Sequence, residues 1–240
     1  LGSRTADDER AWVEVEGAMG VPLVRVNQVH GAEILVRRLG HRDAPRLPIA
    51  DVIVSDDPGI AVAIQTADCV PILIADRRTG AVAAAHAGWR GLAAGVPRVT
   101  VEALSREFGS RPVDLIAAAG PSIGACCYEV GPEVRARFEK AGWRAPSLAR
   151  WFFPEARPTA ANPSMPRLHA SRPGHLFFDC ARAARDQLEA AGLLPEQVFT
   201  PDLCTASHAE ALCSYRRDGT SAGRMAAVIR ASIVPQREVE

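Results

Sequence analysis

Cys69 and His86 are the two residues whose types and spacing first suggest shared chemistry. They bracket Arg77-Arg78-Thr79-Gly80, a segment with the length and final glycine of a β-hairpin loop. Its arms are the apolar runs Val70–Ala75 and Ala81–His86. A hairpin symmetric about that loop sets Val70 opposite Ala87 and Pro71 opposite His86. Cys69 is two residues from Pro71, so it shares a face with His86. The two are then diagonal neighbours, roughly 7–8 Å apart between backbones. A thiolate and an imidazole at that separation can share a metal ion, and both suit zinc. A third protein ligand would leave one tetrahedral position open, as in catalytic zinc sites. His30, at a strand edge beside Gly31, is the candidate for that vertex. The pairing depends on register, since a slip of one residue breaks it.

The same residues admit other readings. A cysteine after a Thr-Ala-Asp turn also fits a small buried hydrophobe, and a histidine at a strand end fits an ordinary hydrogen-bonded residue. Cys126-Cys127 reads as two buried or half-buried thiols, and Arg216-Arg217 as a solvated pair. Without a metal, Cys69 as nucleophile and His86 as base would describe a thiol hydrolase acting on amides or cell-wall precursors. A non-catalytic domain that keeps the site is a third possibility.

The elements that must position these residues follow from periodicity and turn chemistry. Helical spacing is expected over 8–20, ending at Gly20. A strand over Val21–Val26 runs into Asn27-Gln28-Val29-His30-Gly31, and a second covers Ile34–Arg37. Residues 38–48 form a loop. Strands are expected over Ala50–Ser55, Ile60–Thr66, Val70–Ala75, Ala81–His86, Val113–Ala119 and Val228–Val234, with Asp56-Asp57-Pro58-Gly59 as a turn. Helices are expected over 98–108, 132–140 and 178–191, and Pro97 should bend or delay the first of these. Residues 144–174 are Pro- and Arg-rich and aperiodic, and read as a long surface excursion. Hairpins mixed with helices predict an α/β (α+β) fold: mixed sheets flanked by helices, in one domain spanning 1–240. No GxGxxG or P-loop stands in a suitable context.

Composition narrows the class further. The chain of 240 residues balances 28 Lys+Arg against 28 Asp+Glu, so no nucleic-acid footprint or polybasic membrane surface is expected. No apolar run approaches the roughly 20 residues that span a bilayer, and the polar start is not a secretory signal. The six cysteines are dispersed without a CxxC pair and read as reduced thiols of a cytoplasmic protein.

Five runs, in this order, resemble those of the laccase-domain family, also called the YfiH or peptidoglycan-editing-factor family. They are Asn27-Gln28-Val29-His30-Gly31, Gln65-Thr66-Ala67-Asp68-Cys69-Val70-Pro71 and His86-Ala87-Gly88-Trp89-Arg90-Gly91. Gly120-Pro121-Ser122-Ile123-Gly124-Ala125-Cys126-Cys127-Tyr128-Glu129-Val130-Gly131 follows. The last is Ser214-Tyr215-Arg216-Arg217-Asp218-Gly219, leading to Gly223-Arg224-Met225-Ala226. The resemblance implies zinc ligands at His30, Cys69 and His86, and so supplies the third vertex. It implies a layered β-sandwich flanked by helices, akin to toxin deamidase domains. It also implies purine nucleoside phosphorylase, adenosine deaminase and methylthioadenosine phosphorylase activities, with a purine nucleoside and phosphate as partners; the oligomeric state is not legible in the sequence, and a monomer is the expectation.

On that footing, Arg90, Arg216 and Arg217 are candidates to hold phosphate as forked donors, with Gln28 beside them. Cys69 and Asp68 join Arg90 and Arg216 as catalytic candidates, and Glu129 is a second proton-transfer candidate. Older labels of the family as a laccase meet an obstacle here. Multicopper oxidases need many histidines, usually in HxH pairs, and this chain has six with no HxH. Zinc is therefore expected ahead of copper. The sequence departs from the family at Trp12–Glu16, at Leu212-Cys213, and in lacking the family's N-terminal segment.

Overall fold

The computed structural model of the protein describes residues 9–40, 47–165 and 172–233. The first part of the chain is helix α1 (Glu9–Met19) and strands β1 (Leu23–Val24), β2 (Ile34–Arg37), β3 (Val52–Ser55), β4 (Ala61–Thr66), β5 (Val70–Asp76) and β6 (Val82–Ala87). The middle holds α2 (Trp89–Ala94), α3 (Val96–Phe108), β7 (Leu115–Ala119), β8 (Glu129–Val130), α4 (Pro132–Lys140), α5 (Ala145–Trp151) and β9 (Phe152–Phe153). The last part holds β10 (Leu176–Phe178), α6 (Cys180–Ala190), β11 (Val198–Phe199), α7 (Tyr215–Asp218) and β12 (Met225–Arg230).

The expected α/β architecture is present. A six-stranded mixed sheet runs β11-β7-β5-β6-β3-β2, and two three-stranded sheets run β1-β4-β12 and β8-β10-β9. Strand parity builds two cores from one sheet. Val52, Val54, Ile72, Ile74, Ala83 and Ala85 point into the larger core, which α3 and α6 cover. Ile53, Val82 and Ala84 point the other way, against Val62, Ile64 and Ile229 of the β1-β4-β12 sheet. The β6 sequence Val-Ala-Ala-Ala-His-Ala has modest β-propensity, yet all six residues are buried. Burial on both faces overrides propensity here.

The β5–β6 hairpin has the expected register: Val70 pairs with Ala87 and Pro71 with His86. Several other expectations need correction. Helix α3 begins at Val96, and Pro97 lies in its first turn, where no backbone donor is needed, so it neither bends nor delays the helix. Residues 144–174 are not wholly a surface excursion. They contain α5 and β9, and Leu148, Trp151 and Phe152 are buried around Phe138 and Phe178; residues 166–171 lie outside the described residues. The first strand shrinks to Leu23–Val24. The last runs Met225–Arg230, paired along its length with β4. Among the described residues no helix is long and apolar enough to cross a membrane.

Candidate metal centre and surrounding pocket

His30, Cys69 and His86 converge, and one donor atom from each lies within 4.8 Å of the others. Each arrives by a different local device. His86 sits inside β6 on the parity that faces the smaller core, so the strand fixes its direction. Cys69 stands just before β5 on the same parity. His30 sits in the turn between β1 and β2 with φ +61°, a left-handed backbone that a non-glycine residue adopts only when its surroundings enforce it.

Asp51 does the enforcing. It lies just ahead of β3, is completely buried, and its carboxylate accepts from the backbone N–H groups of Val29 (3.2 Å), His30 (3.0 Å) and Gly31 (2.7 Å). The same carboxylate contacts His86 Nδ1 at 2.8 Å. That orients the ring and turns its Nε2 away from Asp51, as outer carboxylates do for metal-bound histidines. Sequence reasoning missed Asp51. The available signal was a lone acid within the apolar stretch Ile49-Ala50-Asp51-Val52-Ile53-Val54, a position that only a satisfied charge can occupy.

The electrostatics follow from this packing. Burial opposes ionisation of Cys69, but hydrogen bonding and charge from His30 and His86 bring its thiol down to about 7. Burial likewise works against a charged His86, yet Asp51 and Cys69 raise it to about 9. The His30 and His86 rings meet edge-on, with centroids 4.8 Å apart. Two imidazoles and an activated thiol at this spacing, one ring anchored by a carboxylate, form a donor set that fits a zinc-sized cation. Gly88 is part of the fit, because a Cβ there would stand 2.9 Å from both Cys69 Sγ and His30 Cδ2.

The trio lines a cavity of about 470 Å³. Gln28, Asp68, Arg90 and Arg216 line it too, together with Gln65, Trp89, Tyr128, Tyr215 and Arg224, which sequence reasoning did not single out as site residues. The Gln28 amide is committed to the Gln65 backbone, donating to its O and accepting from its N–H, both at 2.8 Å. It ties the His30 segment to β4. Asp68 spends both carboxylate oxygens on the wall, accepting from Thr205 Oγ1 and from Arg216 N–H, each at 2.6 Å. Arg216 lies over the Tyr128 ring at 5.0 Å and donates to Glu129 O at 2.7 Å. Arg90 lies over Trp89 at 4.3 Å. Among the described residues neither arginine pairs with a carboxylate.

Two candidates are placed elsewhere. Arg217 does not line the cavity; its guanidinium donates to the carbonyls of Thr205 and Leu212 and to the Asp218 carboxylate. Neighbouring residues on a short helix point in different directions, so Arg216 and Arg217 separate. The Glu129 carboxylate is likewise outside the cavity, accepting from Arg172 N–H at 2.8 Å and Nε at 3.2 Å.

Known proteins share this arrangement's sequence and fold. The family described as multi-copper polyphenol oxidoreductase laccase matches residues 4–232. The purine nucleoside phosphorylase of Deinococcus radiodurans is 35% identical over 240 residues, covering 97% of this chain and 81% of its own. Purine nucleoside phosphorylase YfiH of Escherichia coli is 37% identical over 93% of this chain and 79% of its own. Among solved structures, YfiH of Bacillus licheniformis matches with a TM-score of 0.75 at 27% identity, over 91% of this chain and 79% of its own. Protein NMB0706 of Neisseria meningitidis matches at 0.73 and 33% identity, over 96% and 85%. By sequence along nearly its whole length and by fold, the chain belongs to the YfiH family of laccase-domain proteins.

Proposed function

We propose that the protein is a zinc-dependent purine nucleoside phosphorylase that also deaminates adenosine, with His30, Cys69 and His86 as the metal ligands. The observation that carries this reading is the convergence of these three donors with Arg90 and Arg216 in one cavity whose relatives are named purine nucleoside phosphorylases. A volume of about 470 Å³ falls in the range of small-ligand sites. The bound ion would supply Lewis acidity towards a substrate nitrogen or a water molecule.

The chain's own residues account for the rest. Arg90 and Arg216, free of carboxylate partners among the described residues, offer forked donors to phosphate. Trp89 and Tyr128 each carry an arginine over one face, so their remaining ring surface, with Tyr215, would offer apolar contact to a purine. Burial raises the Tyr128 hydroxyl well above its ordinary value, so it stays a neutral hydrogen-bond donor. Asp68 positions the backbone of Arg216 rather than carrying a proton. In phosphorolysis a phosphate oxygen bonds to ribose C1′ while the C1′–N9 bond breaks, and its electron pair stays on the base. The proton that hydrogen phosphate brings ends on the purine, so the reaction consumes no net acid.

The test is product analysis of adenosine and inosine, with and without phosphate, on metal-quantified protein. Adenine or hypoxanthine with ribose 1-phosphate, formed only with phosphate, is expected, along with ammonia from adenosine. Absence of base release from metal-loaded protein would overturn the phosphorylase reading, and absence of ammonia the deaminase one. Metal-free protein that leaves nucleosides intact but hydrolyses an amide substrate, with that activity lost on alkylation of Cys69, would instead identify a thiol hydrolase.

A further inference from the structure

The first-described pocket leaves unused a second cluster of donors. Cys126, Cys127 and Cys204 bring their sulfurs within 4.8 Å of one another, and all three are buried, at 2%, 0% and 2% exposure. They come from two tight turns. In one, Cys127 N–H and Tyr128 N–H both donate to Gly124 O; in the other, Ser207 N–H donates to Cys204 O. A bridge between Ser122 and Cys204 joins the turns.

A single buried cysteine is a small hydrophobe. Three whose sulfurs converge are a donor set. Polar groups surround them. Gly124 N–H donates to Cys204 Sγ at 3.3 Å, and Ser207 Oγ stands 3.6 Å from both Cys126 Sγ and Cys127 Sγ. Beyond the sulfurs lie half-buried Ser207 and exposed Pro163, whose carbonyl accepts from Ser207 Oγ at 2.6 Å and from Cys127 Sγ at 3.7 Å.

We infer that Cys126, Cys127 and Cys204 form a second metal site, for a soft d10 cation of the zinc or copper(I) class, distinct from the His30–Cys69–His86 centre. Thiolates select such ions over harder ones. Three sulfurs suit copper(I), and Ser207 Oγ offers zinc a fourth donor. The site would act as a staple between chain segments. Cys204 N–H donates to Asn162 Oδ1 at 2.7 Å, tying in the 159–163 segment. The adjacent Thr205 holds Asp68, which holds the Arg216 backbone, so an ion here would pin the turn behind the cavity wall. The inference stands whichever reaction the cavity carries.

The test removes the first site and asks whether metal still binds. His30→Ala/Cys69→Ser protein, kept reduced and stripped of metal, is titrated separately with zinc, copper(I) and cobalt(II), with native mass spectrometry and absorption as readouts. We expect one ion per chain and sulfur-to-cobalt charge-transfer bands of a three-thiolate site. Both should vanish when Cys204→Ser is added. Retention of zinc or of copper(I) against a competing chelator identifies the ion. A folded double variant that takes up no stoichiometric metal, or takes it up without thiolate bands, overturns the inference. If the triple variant does not fold, the wild type decides. Two ions per chain, with Cys126, Cys127 and Cys204 protected from alkylation only when loaded, support the site. One ion, or alkylation unaffected by loading, refutes it.

Discussion

Replacing Asp51 with asparagine changes one atom and should damage both stability and metal binding. Asp51 Oδ1 serves His30 N–H and His86 Nδ1, while Oδ2 serves Val29 N–H and Gly31 N–H. Asparagine keeps one oxygen. In place of Oδ2 the amide NH2 meets Val29 N–H and Gly31 N–H; in place of Oδ1 it meets His30 N–H and the His86 ring, which can accept at Nδ1 only by moving its proton to Nε2. A buried donor left unsatisfied costs about 1–3 kcal/mol, and these backbone donors are part-buried. Asp51→Asn should therefore cost about 1–4 kcal/mol. The His86 ring also loses the anchor that orients it, which in comparable sites weakens metal affinity about 10–100-fold. Denaturant unfolding of the metal-free protein measures the first effect, and chelator competition for zinc measures the second. Loss of less than ~1 kcal/mol, with zinc affinity unchanged, would refute the view that this carboxylate organises the centre.

Three further outcomes are expected. Gly88→Ala should cost the metal-free protein about 1–3 kcal/mol, since its Cβ would stand 2.9 Å from Cys69 Sγ and His30 Cδ2 at a helix N-cap, and should weaken zinc at least about tenfold in chelator competition by displacing those two side chains. Burial, with the charges of Asp186 and Asp202, raises Asp179 to about 6. The folded state then holds this proton more tightly than the unfolded chain, so the contribution of Asp179 to stability is most favourable below about pH 4 and is lost as pH rises through 6. Asp179→Asn keeps an oxygen to cap α6 at Arg182 N–H, and should be more stable than wild type by on the order of 2 kcal/mol above pH 6, with no difference near pH 4; unfolding curves at the two pH values check this. Phe138→Ala should cost about 3–5 kcal/mol in the same assay, because Phe138 is fully buried with Phe152, Phe178 and Trp151 ring centroids 5.4, 5.3 and 5.9 Å away.

What could be read from the chain was what depends on local period. The β5–β6 register followed from a four-residue loop and two apolar arms, and strand parity then placed Cys69 with His86. His30 was different. Its position depends on a left-handed turn wrapped around Asp51, more than twenty residues away, and residue spacing carries no trace of that contact. The 144–174 segment misled for a related reason. Its prolines and arginines mask a short helix whose buried Leu148 and Trp151 face a core made by α4 and β10. The separation of Arg216 from Arg217 was also hidden, because only the fold says which way a single helical turn faces.

The family's description as a laccase and its relatives' naming as phosphorylases make different demands on side chains. Electron transfer through several coppers requires many imidazoles close together. Of the four histidines among the described residues, His30 and His86 line the cavity. His175 Nδ1 faces Pro173 O and His208 Nε2 faces Asn162 Oδ1, while His41 and His169 lie outside the described residues. A His2Cys set also resembles a blue-copper centre, but such centres carry a weak axial ligand, most often methionine and sometimes glutamine. Met19, Met165 and Met225 are all absent from the cavity lining, and of the two glutamines there the Gln28 amide is committed to the Gln65 backbone. Phosphorolysis asks instead for a place to hold phosphate beside a space the size of a nucleoside. Under the proposed function Arg90 and Arg216 would supply the first, and the rings of Trp89, Tyr128 and Tyr215 would wall the second, next to the proposed metal ligands His30, Cys69 and His86. The side chains thus favour the phosphorylase reading on donor number and on the character of the walls.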